Sequence, residues 1–202
     1  HGFRSYGSAV AYGDGRILLA GGGDPPQAAT QTIDLTHAPP AFRTLPPMSF
    51  ARRHFNLTLL PDGSALAIGG SSAAGFNNAS GAVLATELWN PSSENWTALA
   101  PIAVPRLYHS VALLLPDGRV LSAGGGHPSD SEHGDPDHFD GQIFSPPYLF
   151  RGPRPTIVAA PAVVRYNETF ELTFGTQAPV AAVNWLRLGS TTHGFDMNQR
   201  FL

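Results

Sequence analysis

The sequence predicts an all-β chain in two parts: a set of repeated four-stranded sheets, then the start of a β-sandwich. One hairpin pattern recurs three times, its copies are almost evenly spaced, and no stretch of the 202 residues carries the periodicity of an amphipathic helix. The 22 Gly and 19 Pro residues supply the many turns that such a fold needs.

The first copy reads SAVAYGDGRILLAGGG, the second NLTLLPDGSALAIGGS and the third HSVALLLPDGRVLSAGGG. Each has an apolar run, a turn built on Asp-Gly, and a second apolar run closing on glycines, the mark of a β-hairpin. The turn glycines Gly15, Gly63 and Gly118 lie 48 and 55 residues apart, and a glycine pair opens six residues after each. A period near 50 predicts kelch-type β-propeller blades, here a partial ring of three. Residues 1 to about 48 form the first blade, with outer strands in TQTIDL and AFRTL. Residues from about 49 to 100 form the second, and ELWNPSSENWTAL supplies its outer pair. Trp89 and Trp96 there read as packing between blades rather than as ligand platforms. The third blade runs to about residue 150, with its outer strands compressed into GQIFSPPYLF.

Arg151-Gly152-Pro153-Arg154-Pro155 reads as a connector, so the predicted domains are 1–150 and 151–202. Beyond it, TIVAAPAVVRYNETFELTFGT and VAAVNWLRLGS predict the short strands of an immunoglobulin-like β-sandwich, truncated at Phe201-Leu202. Propellers close with four to eight blades, so three leave two faces uncovered. The chain is therefore expected to be a fragment, with the remaining blades on the missing part of the protein or on a partner chain.

Composition narrows the function. A formal charge of −3 without clustered Lys or Arg argues against nucleic acid, and no long uncharged apolar run predicts a membrane span. With no Cys, disulfides and thiolate metal sites within these residues are excluded. Sequons at Asn56, Asn78, Asn95 and Asn167 lean weakly toward an extracellular, secreted protein.

The chemistry-bearing residues lie at the third hairpin's entrance, where Tyr108-His109 can project into a shared site. Taken alone, such a pair serves packing and hydrogen bonding more often than metal binding, and His193 in Ser190-Thr191-Thr192-His193 reads as an ordinary exposed loop residue. A rival metal site lies in residues 126–140, which hold three imidazoles and five carboxylates. Zinc or calcium is conceivable there, but the spacing fits neither a usual zinc pattern nor an EF-hand, and a solvated acidic loop is the simpler reading.

Arg106-Leu107-Tyr108-His109-Ser110 with LLLPDGRVLSAGGG, FDGQIFSPPYLF, Gly189-Ser190-Thr191-Thr192-His193 and Asn198-Gln199-Arg200 closely resembles the copper radical oxidases, the galactose oxidase and glyoxal oxidase family. The resemblance implies copper on the propeller axis, with Tyr108, His109 and His193 matching three of four protein ligands. Tyr108 would also be the catalytic base toward an alcohol or hydrated aldehyde. The fourth ligand, a radical tyrosine cross-linked to cysteine, would lie upstream of His1, because Tyr6 and His54 match no ligand motif. The implied activity is oxidation of small aldehydes or primary alcohols by O2 to give hydrogen peroxide, glyoxal-like substrates ahead of galactose. The alternative is a non-catalytic kelch module binding glycans or protein partners.

Overall fold

The structure, a computed structural model, describes residues 4–127, 134–177 and 179–202. It is all-β: the helical pieces among the described residues are two short 3-10 turns, Ala79–Gly81 and Pro147–Phe150. None is long and apolar enough to cross a membrane. Two compact units are present, one of residues 1–145 with 184–202 and one of residues 146–183.

The first sheet of the larger unit runs β1 (Ser8–Gly13), β2 (Arg16–Ala20), β3 (Thr30–Asp34) and β4 (Phe42–Leu45), each antiparallel to the next. The second repeats that order with β5 (Arg53–Leu59), β6 (Ala65–Ser71), β7 (Thr86–Trp89) and β8 (Trp96–Leu99). The third has three strands, β9 (Ser110–Leu114), β10 (Val120–Gly124) and β11 (Gly141–Phe144). Among the described residues the expected pair of outer strands is here reduced to one. Pro146 and Pro147 have no N–H to donate to a ladder, and the chain winds into the 3-10 turn instead.

Turn chemistry sets the registers. In the second and third hairpins the N–H of Gly63 donates to Leu60 O and that of Gly118 to Leu115 O, both at 2.9 Å. Pro61 and Pro116 occupy the next turn position, where a fixed φ favours the bend. Asp62 and Asp117 then accept from the backbone N–H two residues on, at 3.1 and 3.0 Å.

An internal repeat of arginines fastens each sheet. Arg4, Arg52 and Arg106 stand eleven, eleven and twelve residues before their turn glycines, and donate to the carbonyls of Gly21, Gly69 and Gly124 at 3.0, 2.9 and 2.8 Å. Their second contacts reach the third strand region: Gln31, Glu87 and Asp140 respectively. The same arginines link neighbouring sheets through their backbones. Gly22 N donates to Arg52 O and Gly70 N to Arg106 O, both at 2.7 Å. A Cβ on Gly69 would sit 2.2 Å from Arg106 O, so glycine is needed for that approach.

The main core lies between the first two sheets and includes Leu18, Leu45, Phe55, Leu57 and Trp89. Every residue of β5 and β6 is buried; β6 is apolar except for glycine and Ser71, whereas β5 buries Arg53, His54, Asn56 and Thr58 among its apolar residues. Trp89 meets Tyr12 edge-on at 4.8 Å, and Trp96 Nε1 donates to Thr30 Oγ1 at 3.0 Å. Both tryptophans therefore pack between sheets, in keeping with their reading as packing residues rather than ligand platforms.

Residues 184–202 form two very short hairpins within the larger unit. β14 (Leu186–Arg187) pairs with β17 (Arg200–Phe201), and between them β15 (Thr191–Thr192) pairs with β16 (Phe195–Asp196). In the smaller unit β12 (Thr156–Ala159) pairs with β13 (Thr173–Gly175), and β12 is exposed along its length.

Candidate metal centre

Tyr6, His54 and His109 each stand nine residues before a turn glycine, at the same register of the three repeats. All three adopt the left-handed backbone, with φ of 57°, 57° and 63°. That conformation costs a non-glycine residue about 1–3 kcal/mol and persists only where its surroundings impose it. The three heads turn inward together, and His54 N donates to Tyr6 O at 2.9 Å.

His193 comes from a distant part of the sequence. With Gly194 it forms the two-residue tip between β15 and β16, at φ of 53° and 80°. Two positive φ values define a type I′ turn, the tight connection that matches strand twist. The tip is held on the inner strands: Ser8 Oγ donates to Gly194 O and Thr191 Oγ1 to Ala112 O. Thr192 Oγ1 lies 2.8 Å from His193 Nδ1.

These elements bring all three residues singled out in the sequence to one place. The ring centres of Tyr108 and His109 are 3.9 Å apart, those of His109 and His193 5.2 Å, and those of Tyr108 and His193 5.6 Å. Together they line a small cavity of about 10 Å³ with Tyr6 and His54. Tyr108 is half-buried, while His109 and His193 are exposed. A metal about 2 Å from an imidazole nitrogen lies roughly 3 Å from the ring centre, so two such ligands have centres roughly 4–6 Å apart. The spacing of His109 and His193 fits that geometry. Two imidazoles with a phenol form an N/O donor set of the kind Cu(II) accepts, whereas magnesium or calcium would want an all-oxygen shell.

Around this trio stands a wall that motif matching passes over. His54 is 95% buried and packs at 4.2 Å from Tyr6 and 5.4 Å from Tyr108. Neither of its ring nitrogens has a hydrogen-bond partner among the described residues. Burial, with the Arg53 charge second, pushes its imidazole down to about 4, and Asp24 opposes only weakly. Phe76 meets Tyr108 at 4.8 Å, and His127 meets it at 5.9 Å. Asn77 is fully buried and left-handed, at φ 49°, and accepts the Tyr108 N–H at 3.1 Å. The usable signal for Tyr6 and His54 was their common nine-residue register; Asn77 had none.

The acidic loop behaves differently. Residues 128–133 of that rival site, including His133, lie outside the described residues. Among the described residues no group of three or more His, Asp or Glu is placed to hold a metal. His127 faces Tyr108, Asp140 pairs with Arg106 at 2.9 Å, and Asp135 pairs with His138 at 3.0 Å.

Comparison with known proteins agrees with this architecture. Residues 25–148 match the family described as glyoxal oxidase N-terminus, and residues 154–202 match the galactose oxidase-like early set domain. The chain belongs to the galactose oxidase and glyoxal oxidase family. It is 31% identical to a galactose oxidase of Gibberella zeae, over 96% of this chain and 30% of that protein. It is 35% identical to an aldehyde oxidase of Vitis pseudoreticulata, over 77% of this chain and 32% of that protein. A solved fungal alcohol oxidase in complex with copper superposes with a TM-score of 0.84 at 28% identity, covering 98% of this chain and 44% of that one. The chain thus spans about 30% of the length of these curated galactose and aldehyde oxidase relatives.

Proposed function

We propose that this chain carries most of the copper site of a copper radical oxidase, with Tyr108, His109 and His193 as three of its protein ligands. The convergence of these residues on one small cavity, from two separated stretches of sequence, carries the reading. On this reading the three sheets are blades of a partial kelch-type propeller (1–150), and residues 151–202 begin an immunoglobulin-like sandwich. The fourth ligand would be a tyrosine joined to cysteine outside this chain, since the chain holds no Cys.

Bound copper would supply the one-electron chemistry that, together with the radical, passes two electrons from substrate to O2 and yields hydrogen peroxide. The chain's own residues would prepare that step. The Tyr108 phenolic oxygen receives the proton of the substrate hydroxyl. With its Nδ1–H donating to Thr192 Oγ1, His193 leaves Nε2 free to ligate, the usual way in which an outer partner orients an imidazole ligand. Phe76 and Tyr6 crowd the Tyr108 ring, which favours small alcohols and aldehydes over bulky ones. Glyoxal-like substrates are placed ahead of galactose, supported by the match of residues 25–148 to the glyoxal oxidase family. Extracellular secretion is part of the same reading.

Cu(II) titration of the full-length protein with electron paramagnetic resonance tests it. The expected result is one tetragonal nitrogen/oxygen signal, weakened at least about tenfold in affinity by His109→Ala or His193→Ala, and peroxide release with glyoxal-like substrates. A protein with no specific signal would instead be a non-catalytic module for glycans or protein partners.

A further inference from the structure

We propose that His54 is a positioning residue for Tyr108: its imidazole holds one water in the shared cavity, and that water hydrogen-bonds the Tyr108 phenolic oxygen. The inference rests on the reading of Tyr108, His109 and His193 as copper ligands.

Four observations carry it. His54 occupies the register in its repeat that His109 occupies in the next, and both line the same cavity. Its left-handed backbone aims the ring there at a conformational cost. It is 95% buried with both ring nitrogens unpartnered among the described residues, a state that native proteins seldom tolerate without a ligand or water. The cavity of about 10 Å³ matches the space that one water needs, and a water there has polar neighbours in His54 and Tyr108.

The chemistry suits the role. An imidazole with one N–H offers one donor and one acceptor to a water. Its ring stands at 71° to that of Tyr108 with centres 5.4 Å apart, so both rings border the cavity in which the water would sit. A purely structural role would call for an apolar ring or a direct hydrogen bond to the imidazole, and among the described residues the His54 ring makes none.

Two measurements on the full-length protein decide the matter. A crystal structure fine enough to resolve ordered water should show one within hydrogen-bond distance of both a His54 nitrogen and Tyr108 Oη; its absence overturns the inference. In His54→Phe, the metal-free protein should melt close to the wild-type temperature, because an apolar ring of similar shape replaces the imidazole and its water. The copper-loaded variant should show a shifted phenolate-to-copper absorption band and a kcat lowered about tenfold or more, with KM nearly unchanged. His54→Gln, which keeps a donor and an acceptor, should recover most of both. An unshifted band and wild-type kcat in His54→Phe overturn the inference while leaving the copper reading intact. A wild-type protein whose copper signal ignores His109 and His193 removes that reading and this inference together.

Discussion

Asn77 Oδ1 accepts the backbone N–H of Tyr108 while its own Nδ2 donates to His127 O at 3.3 Å. One fully buried amide thus fixes both the candidate base and the rim imidazole beside it. Asn77→Ala leaves the Tyr108 N–H and the His127 carbonyl without that partner, and is expected to cost about 1–3 kcal/mol of stability. It should also weaken copper binding with every ligand intact. Urea unfolding and a copper titration check the pair; wild-type affinity would show that Asn77 serves folding alone.

Gly194 gives a sharper case of control from outside the proposed ligand set. Its φ is 80°, and a Cβ there would lie 2.7 Å from Phe55 O. Gly194→Ala cannot keep the hairpin tip in place, so His193 moves. The expected result is a loss of copper affinity near that of His193→Ala, read by the same titration. His193→Asn, by contrast, keeps a residue tolerant of positive φ and should preserve the hairpin while losing the metal.

The buried His54 ring makes stability depend on pH. Its folded value of about 4 lies below the ordinary 6.5. As pH falls, the unfolded chain therefore takes up this proton first. Stability is full above about pH 6.5, declines as pH drops toward 4, and then levels, with a total loss of up to about 3 kcal/mol. Denaturation midpoints of the metal-free protein should follow that slope, and His54→Phe should flatten it. An identical slope in the variant would assign the effect to other groups.

Two Arg-Glu pairs with similar contacts should differ greatly in worth. Arg52 and Glu87 are fully buried at 2.8 Å, and Glu87 also accepts the Ser49 N–H at 2.6 Å. Removing one partner strands a buried charge, so Glu87→Ala is expected to cost about 3–5 kcal/mol. Arg43 and Glu94 lie near the surface, where water screens them, and Glu94→Ala should cost no more than about 1 kcal/mol. Thermal midpoints of the two variants test the contrast.

Much of this was legible in the residues. Pro-Asp-Gly turns and glycine pairs announced the hairpins because local backbone chemistry forces them, and Trp89 and Trp96 announced the inter-sheet seam. Tyr108, His109 and His193 could be picked out through motif resemblance. The wall around them could not. His54 earns its place through burial and register, properties of the assembled sheets, while Asn77 acts through an amide that any turn might contain. The strands of residues 184–202 are two residues long, too short for any periodicity to reveal. Asn56 shows the opposite error: it heads a sequon, yet it is buried and its Nδ2 donates to Ser110 Oγ at 3.0 Å. No glycan can reach it.

The hairpin tip at His193 has a topological consequence too. A metal shared by His109 and His193 would tie together positions 84 residues apart in the folded chain, and because the site exists only in the fold its binding free energy adds to the stability of that fold. Chelation should therefore loosen the terminal hairpins first, and limited proteolysis should cut within 184–202 at temperatures where the three sheets still resist. Copper would then be a clasp as well as a reagent, and its loss would be read in the chain's susceptibility to cleavage before any change in the sheets.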